Sequence, residues 1–126
     1  MSAEEIDYPT VDDLLEIAAG VLDNVALRDA GLLAVAAGRP RVTVFGADAY
    51  PTLDDKAAAL LHSLVRNHSL VDGNKRLAWT ATRVFYILNG RDLTYSVDEA
   101  ETLVLAAAAG ELDVPELATW IRAHHR

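Results

Sequence analysis

Nine consecutive residues hold the densest polar chemistry in this chain: His68, Ser69, Leu70, Val71, Asp72, Gly73, Asn74, Lys75 and Arg76. Histidine is the side chain that can be neutral near pH 7 and accept a proton. Beside a bound phosphate it can serve as the base on a hydroxyl in phosphoryl or nucleotidyl transfer. Lys75 adds a point charge, and Arg76 a planar fork that suits phosphate oxygens. Gly73 lets the backbone take φ > 0 and approach a ligand closely. Asp72 is the one acid in this stretch. Mg²⁺ needs only one or two carboxylates when a substrate's phosphates and water complete its shell, although aspartate also serves as a helix cap. The residue types together describe a polyphosphate cradle with a base beside it.

Such a cradle needs a helix to present it. Leu77, Ala81, Val84, Phe85 and Leu88 recur at helical spacing, so a helix is expected from about Asn74 to Asn89, ending at Gly90. Its unpaired N–H groups and the positive end of its dipole form an anion site at the N-terminus. Leu70 and Val71 are the apolar residues expected to anchor the preceding loop. Thr10, Thr52, Ser96 and Asp113 each stand three residues before an acid, the capping-box form, and open four further expected helices. One more is expected from about Asp29 to Ala37, stopped by Gly38 and Pro40. The helix after Thr52 carries Ala58, Leu61, Leu64 and Val65 as its buried stripe. The exception is residues 41–51, whose β-branched and aromatic residues surround a glycine. They read as a short hairpin: an extended connector, or an edge that pairs with an incoming peptide.

The chain has 126 residues, enough for one all-α domain over 1–126 with no repeat or linker. It has no cysteine, which removes disulfides, thiolate metal sites and a cysteine nucleophile. The longest apolar run, Leu103 to Ala109, is far below the roughly 20 residues of a membrane helix. Glu4, Glu5 and Asp7 stand where a signal peptide would be basic, so the cytoplasm is the expected location, with no membrane contact. The net charge is −8, which argues against direct nucleic-acid binding. That charge is uneven. Residues 1–30 hold eight acids and a single base, Arg28, whereas residues 61–91 hold five bases and only Asp72.

The loop resembles the signature of the Fic/Doc family, in which His, an acid, Gly-Asn and a basic residue recur at this spacing. It is most similar to the Doc (death-on-curing) branch, where Asn-Lys-Arg stands in place of the Asn-Gly-Arg of Fic adenylyltransferases. Thr43-Val44-Phe45-Gly46 on to Ala49-Tyr50-Pro51-Thr52, and Leu77-Ala78-Trp79 on to Asn89-Gly90, are similar as well, so the resemblance spans about residues 40 to 95.

The resemblance implies a compact helical bundle with a short β-hairpin flap. It implies His68 as the base, Asp72 as the Mg²⁺ ligand, Gly73 and Asn74 as an anion hole, and Lys75 and Arg76 on the nucleotide phosphates. Thr43, Val44 and Phe45 of the flap would clamp the target by main-chain hydrogen bonds. Doc proteins are toxins of toxin–antitoxin modules. They move the γ-phosphate of ATP to a threonine of elongation factor Tu and so stop translation. ATP, Mg²⁺ and a Phd-like antitoxin with an apolar helix are therefore implied partners, the Leu103–Ala109 region being a candidate groove. Trp79 stands where AMP-transferring members carry a second Arg, which favours γ-phosphate over AMP transfer. An AMP-transferring enzyme and a catalytically silent antitoxin-binding module are the alternatives.

Other candidates are weaker. His62 and His68 lack the i, i+4 spacing of a zinc pair, so His62 is expected to pack or face solvent. Arg83 follows Arg76 and Thr80 on one stripe and is expected at the surface. Trp79 and Tyr86 are expected in the core or an interface. His124 and His125 are expected to be a solvated tail.

Overall fold

Where most of the helices begin is decided locally, by a side chain that accepts an otherwise unpaired N–H; α4, which starts after Gly73, has no such cap. A computed structural model describes residues 5–126; Glu4, one of the acids counted at the N-terminus, lies outside them. The helices are α1 (Val11–Val21), α2 (Ala30–Gly38), α3 (Leu53–Asn67), α4 (Asn74–Leu88), α5 (Val97–Ala108) and α6 (Val114–Ala123), with a hairpin of β1 (Thr43–Val44) and β2 (Ala47–Asp48). Reciprocal capping boxes close the starts of α1 (Thr10 with Asp13), α3 (Thr52 with Asp55) and α5 (Ser96 with Glu99). At α6, the Asp113 N–H donates to Glu116. The all-α reading with a small hairpin is what the structure shows.

The second expected helix needs correction at both ends. Asp29 is the cap of α2, accepting from the Leu32 N–H, and is not part of the helix. Gly38 is helical, and the chain continues through a 3-10 turn over Arg39–Arg41 with Pro40 inside it. Proline is tolerated there because a first-turn N–H has no partner to lose.

Helix α3 is the centre of the fold, packed against α2, α4, α5 and α6. Its burial exceeds the stripe read from the sequence: Ala57, Ala58, Ala59, Leu60 and Leu61 are consecutive and all 0% exposed. A helix buried on every side over this run lies in the core, while Asp55, His62 and Arg66 keep access to solvent. Across it, α4 buries Leu77, Ala78, Ala81, Thr82, Phe85 and Tyr86. Val84 is only half-buried and Leu88 is exposed, contrary to the expected stripe, because α4 is rotated to set Tyr86 against α3. Trp79 stands edge-on to Tyr95 (4.8 Å) and Trp120 (6.0 Å), joining α4 to α6, which is the interface role expected of it.

The hairpin pairs Thr43 with Asp48 and Val44 with Ala47. Phe45 and Gly46 form its turn with φ of 52° and 80°, the double positive φ that matches strand twist in a two-residue loop. Its base is tied to α3 by buried Lys56, whose ammonium donates to Asp48 (3.1 Å) and to the Tyr50 carbonyl (2.5 Å).

The C-terminal histidines are not a free tail. His124 stacks on Trp120 (3.7 Å) and lies 3.1 Å from Glu99. His125 Nε2 donates to Asp54 across 2.6 Å, and its backbone forms a bridge with Leu93. The acceptor, Asp54, is buried in α3 and also receives the Tyr86 hydroxyl, so the last residues are held by a carboxylate that needs donors. Among the described residues, no helix is long and apolar enough to cross a membrane.

Candidate functional site

His68 ends α3 in the left-handed region (φ 53°, ψ 53°), and α4 starts six residues later. Leu70, 1% exposed, pins the intervening loop to the core as expected. Val71 does not: its side chain is 66% exposed, and its contribution is a backbone N–H given to the Ala26 carbonyl (2.9 Å).

Asn74 closes the loop from the other side. Its Oδ1 accepts from the Leu70 N–H (3.0 Å) and its Nδ2 donates to the Leu70 carbonyl (2.9 Å). The side chain therefore holds the loop, and only its backbone N–H is available to a ligand. Asp72 Oδ1 accepts from the Gly73 N–H (2.8 Å), which takes that amide out of the anion site. The first intrahelical bond of α4 runs from the Leu77 N–H to the Gly73 carbonyl. The amides left without a helical partner are thus those of Asn74, Lys75 and Arg76. Of the two residues expected to form an anion hole, Asn74 keeps an open amide while that of Gly73 is bonded to Asp72. Glycine at 73 has a steric reason. Its φ is +87°, and an added Cβ would lie 2.7 Å from both methyl carbons of Leu22.

One cavity of about 650 Å³ brings together His68, Asp72, Gly73, Asn74, Lys75 and Arg76. Thr43, Val44 and Phe45 do not line it. Arg76 gives one donor to the Val21 carbonyl at the end of α1 (3.2 Å), which steadies a guanidinium with further donors to offer. No carboxylate among the described residues pairs with Lys75. Asp23 and Asn24, just past α1, also line the cavity; they carry no local signal and reach it only because α1 ends against α4.

No group of three or more His, Asp or Glu gathers to hold a metal among the described residues. Asp72 beside three open amides and two bases, with Asp23 on the same cavity, fits Mg²⁺ in the mode in which phosphates supply most ligands. His62 Nδ1 accepts from Arg39 (2.8 Å), which places its proton on Nε2, 3.7 Å from Asp113. Burial, then the Arg39 charge, push its pKa below the ordinary histidine value. Arg83 makes a two-point pair with Asp92 (both 3.1 Å), the surface role expected of it. The hydrogen bond from Arg83 holds the Asp92 carboxyl below its usual range.

A second cavity of about 440 Å³ adjoins the first through Lys75 and runs between α4 and α5, walled by Trp79, Tyr95, Val97, Ala100, Val104 and Leu105.

A family model described as Fic/DOC family matches residues 8–86, which takes in α1 to α3, the hairpin, the loop and α4 as far as Tyr86. The chain belongs to the Fic/DOC family. It is similar to Toxin Doc of Mycolicibacterium smegmatis, with 53% identity over 97 residues, covering 75% of this chain and 75% of the relative. The histidine loop and the hairpin fall within the part that matches the Fic/DOC family, as do all the residues lining the cavity except Ala108.

Proposed function

We propose that this chain is the toxin of a toxin–antitoxin module and acts as an Mg²⁺- and ATP-dependent protein kinase. It moves the γ-phosphate to a target hydroxyl, a threonine of elongation factor Tu being the expected acceptor, and thereby inhibits translation in the cytoplasm. The observation that carries this reading is the convergence of His68 with three open amides, Lys75 and Arg76 on one cavity. The name of the relative, Toxin Doc, supports the toxin role.

In this reading the amides of Asn74, Lys75 and Arg76 and the two cationic side chains hold the phosphates, in a geometry set before substrate arrives. His68 takes the proton of the acceptor hydroxyl at an imidazole nitrogen as that oxygen bonds to the γ-phosphorus and the bond to the β-phosphate oxygen breaks. Asp72 would hold Mg²⁺, which would supply charge neutralisation to the phosphates. An extended acceptor segment adds along the hairpin at Thr43, whose backbone groups face outward, with Val44, paired to Ala47, and Phe45 at the exposed tip beside it. Trp79 supports γ-transfer because it stands where AMP-transferring members carry a second Arg, and its ring is engaged with Tyr95 and Trp120. The antitoxin's apolar helix fits the α4–α5 groove, whose walls include exposed Val97 and Leu105.

The metal assignment has a direct test. Titration calorimetry of Asp72→Ala with ATP is expected to show that added Mg²⁺ no longer tightens binding, while metal-free ATP binds as well as to the wild type. A full Mg²⁺ effect in the variant would remove Asp72 from the metal site.

A further inference from the structure

We propose that Arg28 is the positioning residue for His68, an inference that rests on His68 being the base. His68 is not glycine and yet has φ of 53°, a conformation that L-residues leave unless something holds them. Arg28, from the α1–α2 connection, supplies that hold. Its Nε donates to the His68 carbonyl (2.6 Å) and its Nη2 to the Asn67 carbonyl (3.1 Å).

These two carbonyls belong to the peptide planes on either side of the His68 Cα. The rotations between those planes are the φ and ψ of His68. A planar guanidinium that bridges both fixes the two angles together, and with them the direction of the Cα–Cβ bond that carries the imidazole. The same fork satisfies carbonyls that the end of α3 leaves open.

Arg28 is itself held in register with the loop. Its N–H and that of Asp29 both donate to the Ser69 carbonyl (2.8 and 3.0 Å), and Leu27 forms an antiparallel bridge with Leu70. The guanidinium therefore leaves from a backbone tied one residue past His68. It is also the single base among the first thirty residues, where eight acids surround it in sequence. The phosphate cavity does not include it, so it acts on His68 and not on the nucleotide.

The test measures transfer from γ-labelled ATP to purified elongation factor Tu for wild type, Arg28→Ala, Arg28→Lys and His68→Ala, with ATP affinity by calorimetry and melting temperature alongside. Arg28→Ala is expected to lower kcat about tenfold or more, as misplacement of a catalytic group does, with the KM and Kd for ATP within about twofold of wild type. Arg28→Lys, which keeps the charge and a shorter reach, is expected to fall between. Thr10→Ala, which removes the α1 cap far from the loop, controls for stability and is expected to keep kcat. Wild-type kcat in Arg28→Ala would overturn the assignment. So would a loss that merely follows melting temperature as in Thr10→Ala, or a lysine variant no better than alanine. His68→Ala that still transfers phosphate is a different failure, that of the base itself.

Discussion

His68→Ala is expected to lower the transfer rate by about 10²–10⁴-fold, the usual contribution of a positioned base, and to relieve growth arrest when the chain is expressed without an antitoxin. ATP affinity should stay within about twofold, since in the proposed function the phosphate contacts come from the amides of 74–76 and from Lys75 and Arg76 and not from the imidazole. The split between lost turnover and kept binding is the informative part. Loss of both would mean that the substitution has collapsed the loop. The geometry argues against that, because Leu70, the Asn74 amide and the bonds to Ala26, Arg28 and Asp29 hold the loop without using the ring of His68. Retained growth arrest would remove His68 from the chemistry. The readouts are label transfer, calorimetry and colony growth.

Asp54→Ala carries the largest expected effect on stability. Asp54 lies in α3, 7% exposed, and accepts from the Tyr86 hydroxyl and from His125, with Arg122 Nε at 3.4 Å. Alanine leaves the Tyr86 hydroxyl, on a side chain that is 0% exposed, without a partner, which costs about 1–3 kcal/mol. The C-terminal residues lose their anchor as well. The melting temperature should fall by several degrees, and a proteolytic cut near residue 124 should become faster. Tyr86→Phe should cost less, because Asp54 keeps its other two donors.

A sign follows for pH. Burial, then the bond to Asp54, raise the Tyr86 pKa. The stability this represents is fully present below the unfolded tyrosine pKa of about 10 and declines as pH rises above it. Tyr86→Phe should flatten that alkaline loss in a thermal melt series; an unchanged slope would show that Tyr86 is not its source.

What was legible in the sequence was what acts over short range. Thr10, Thr52, Ser96 and Asp113 opened helices because a cap and its acid lie three residues apart. The candidate loop from His68 to Arg76 was legible because its residues are contiguous and the helix behind it has its own apolar period. The pieces that stayed hidden depend on distant partners. Arg28 bonds across 40 positions, and His125 reaches Asp54 across 71. The one trace of Arg28 was an isolated base in an acidic segment, which composition alone does not assign to a histidine. Periodicity placed α4 correctly but misjudged Val84 and Leu88, because which apolar residues are buried is set by the helix opposite. Val71 misled for a related reason, since a loop can be anchored through a backbone amide while its apolar side chain faces water.

The most direct measurement incubates the purified chain with Mg²⁺ and ATP carrying label at either the γ- or the α-phosphate, in a cytosolic extract, and reads protein-bound label. Phosphoryl transfer at the His68 loop predicts label on protein from the γ position alone, and none from either position with His68→Ala. Label on protein from the α position would contradict it and assign AMP transfer instead.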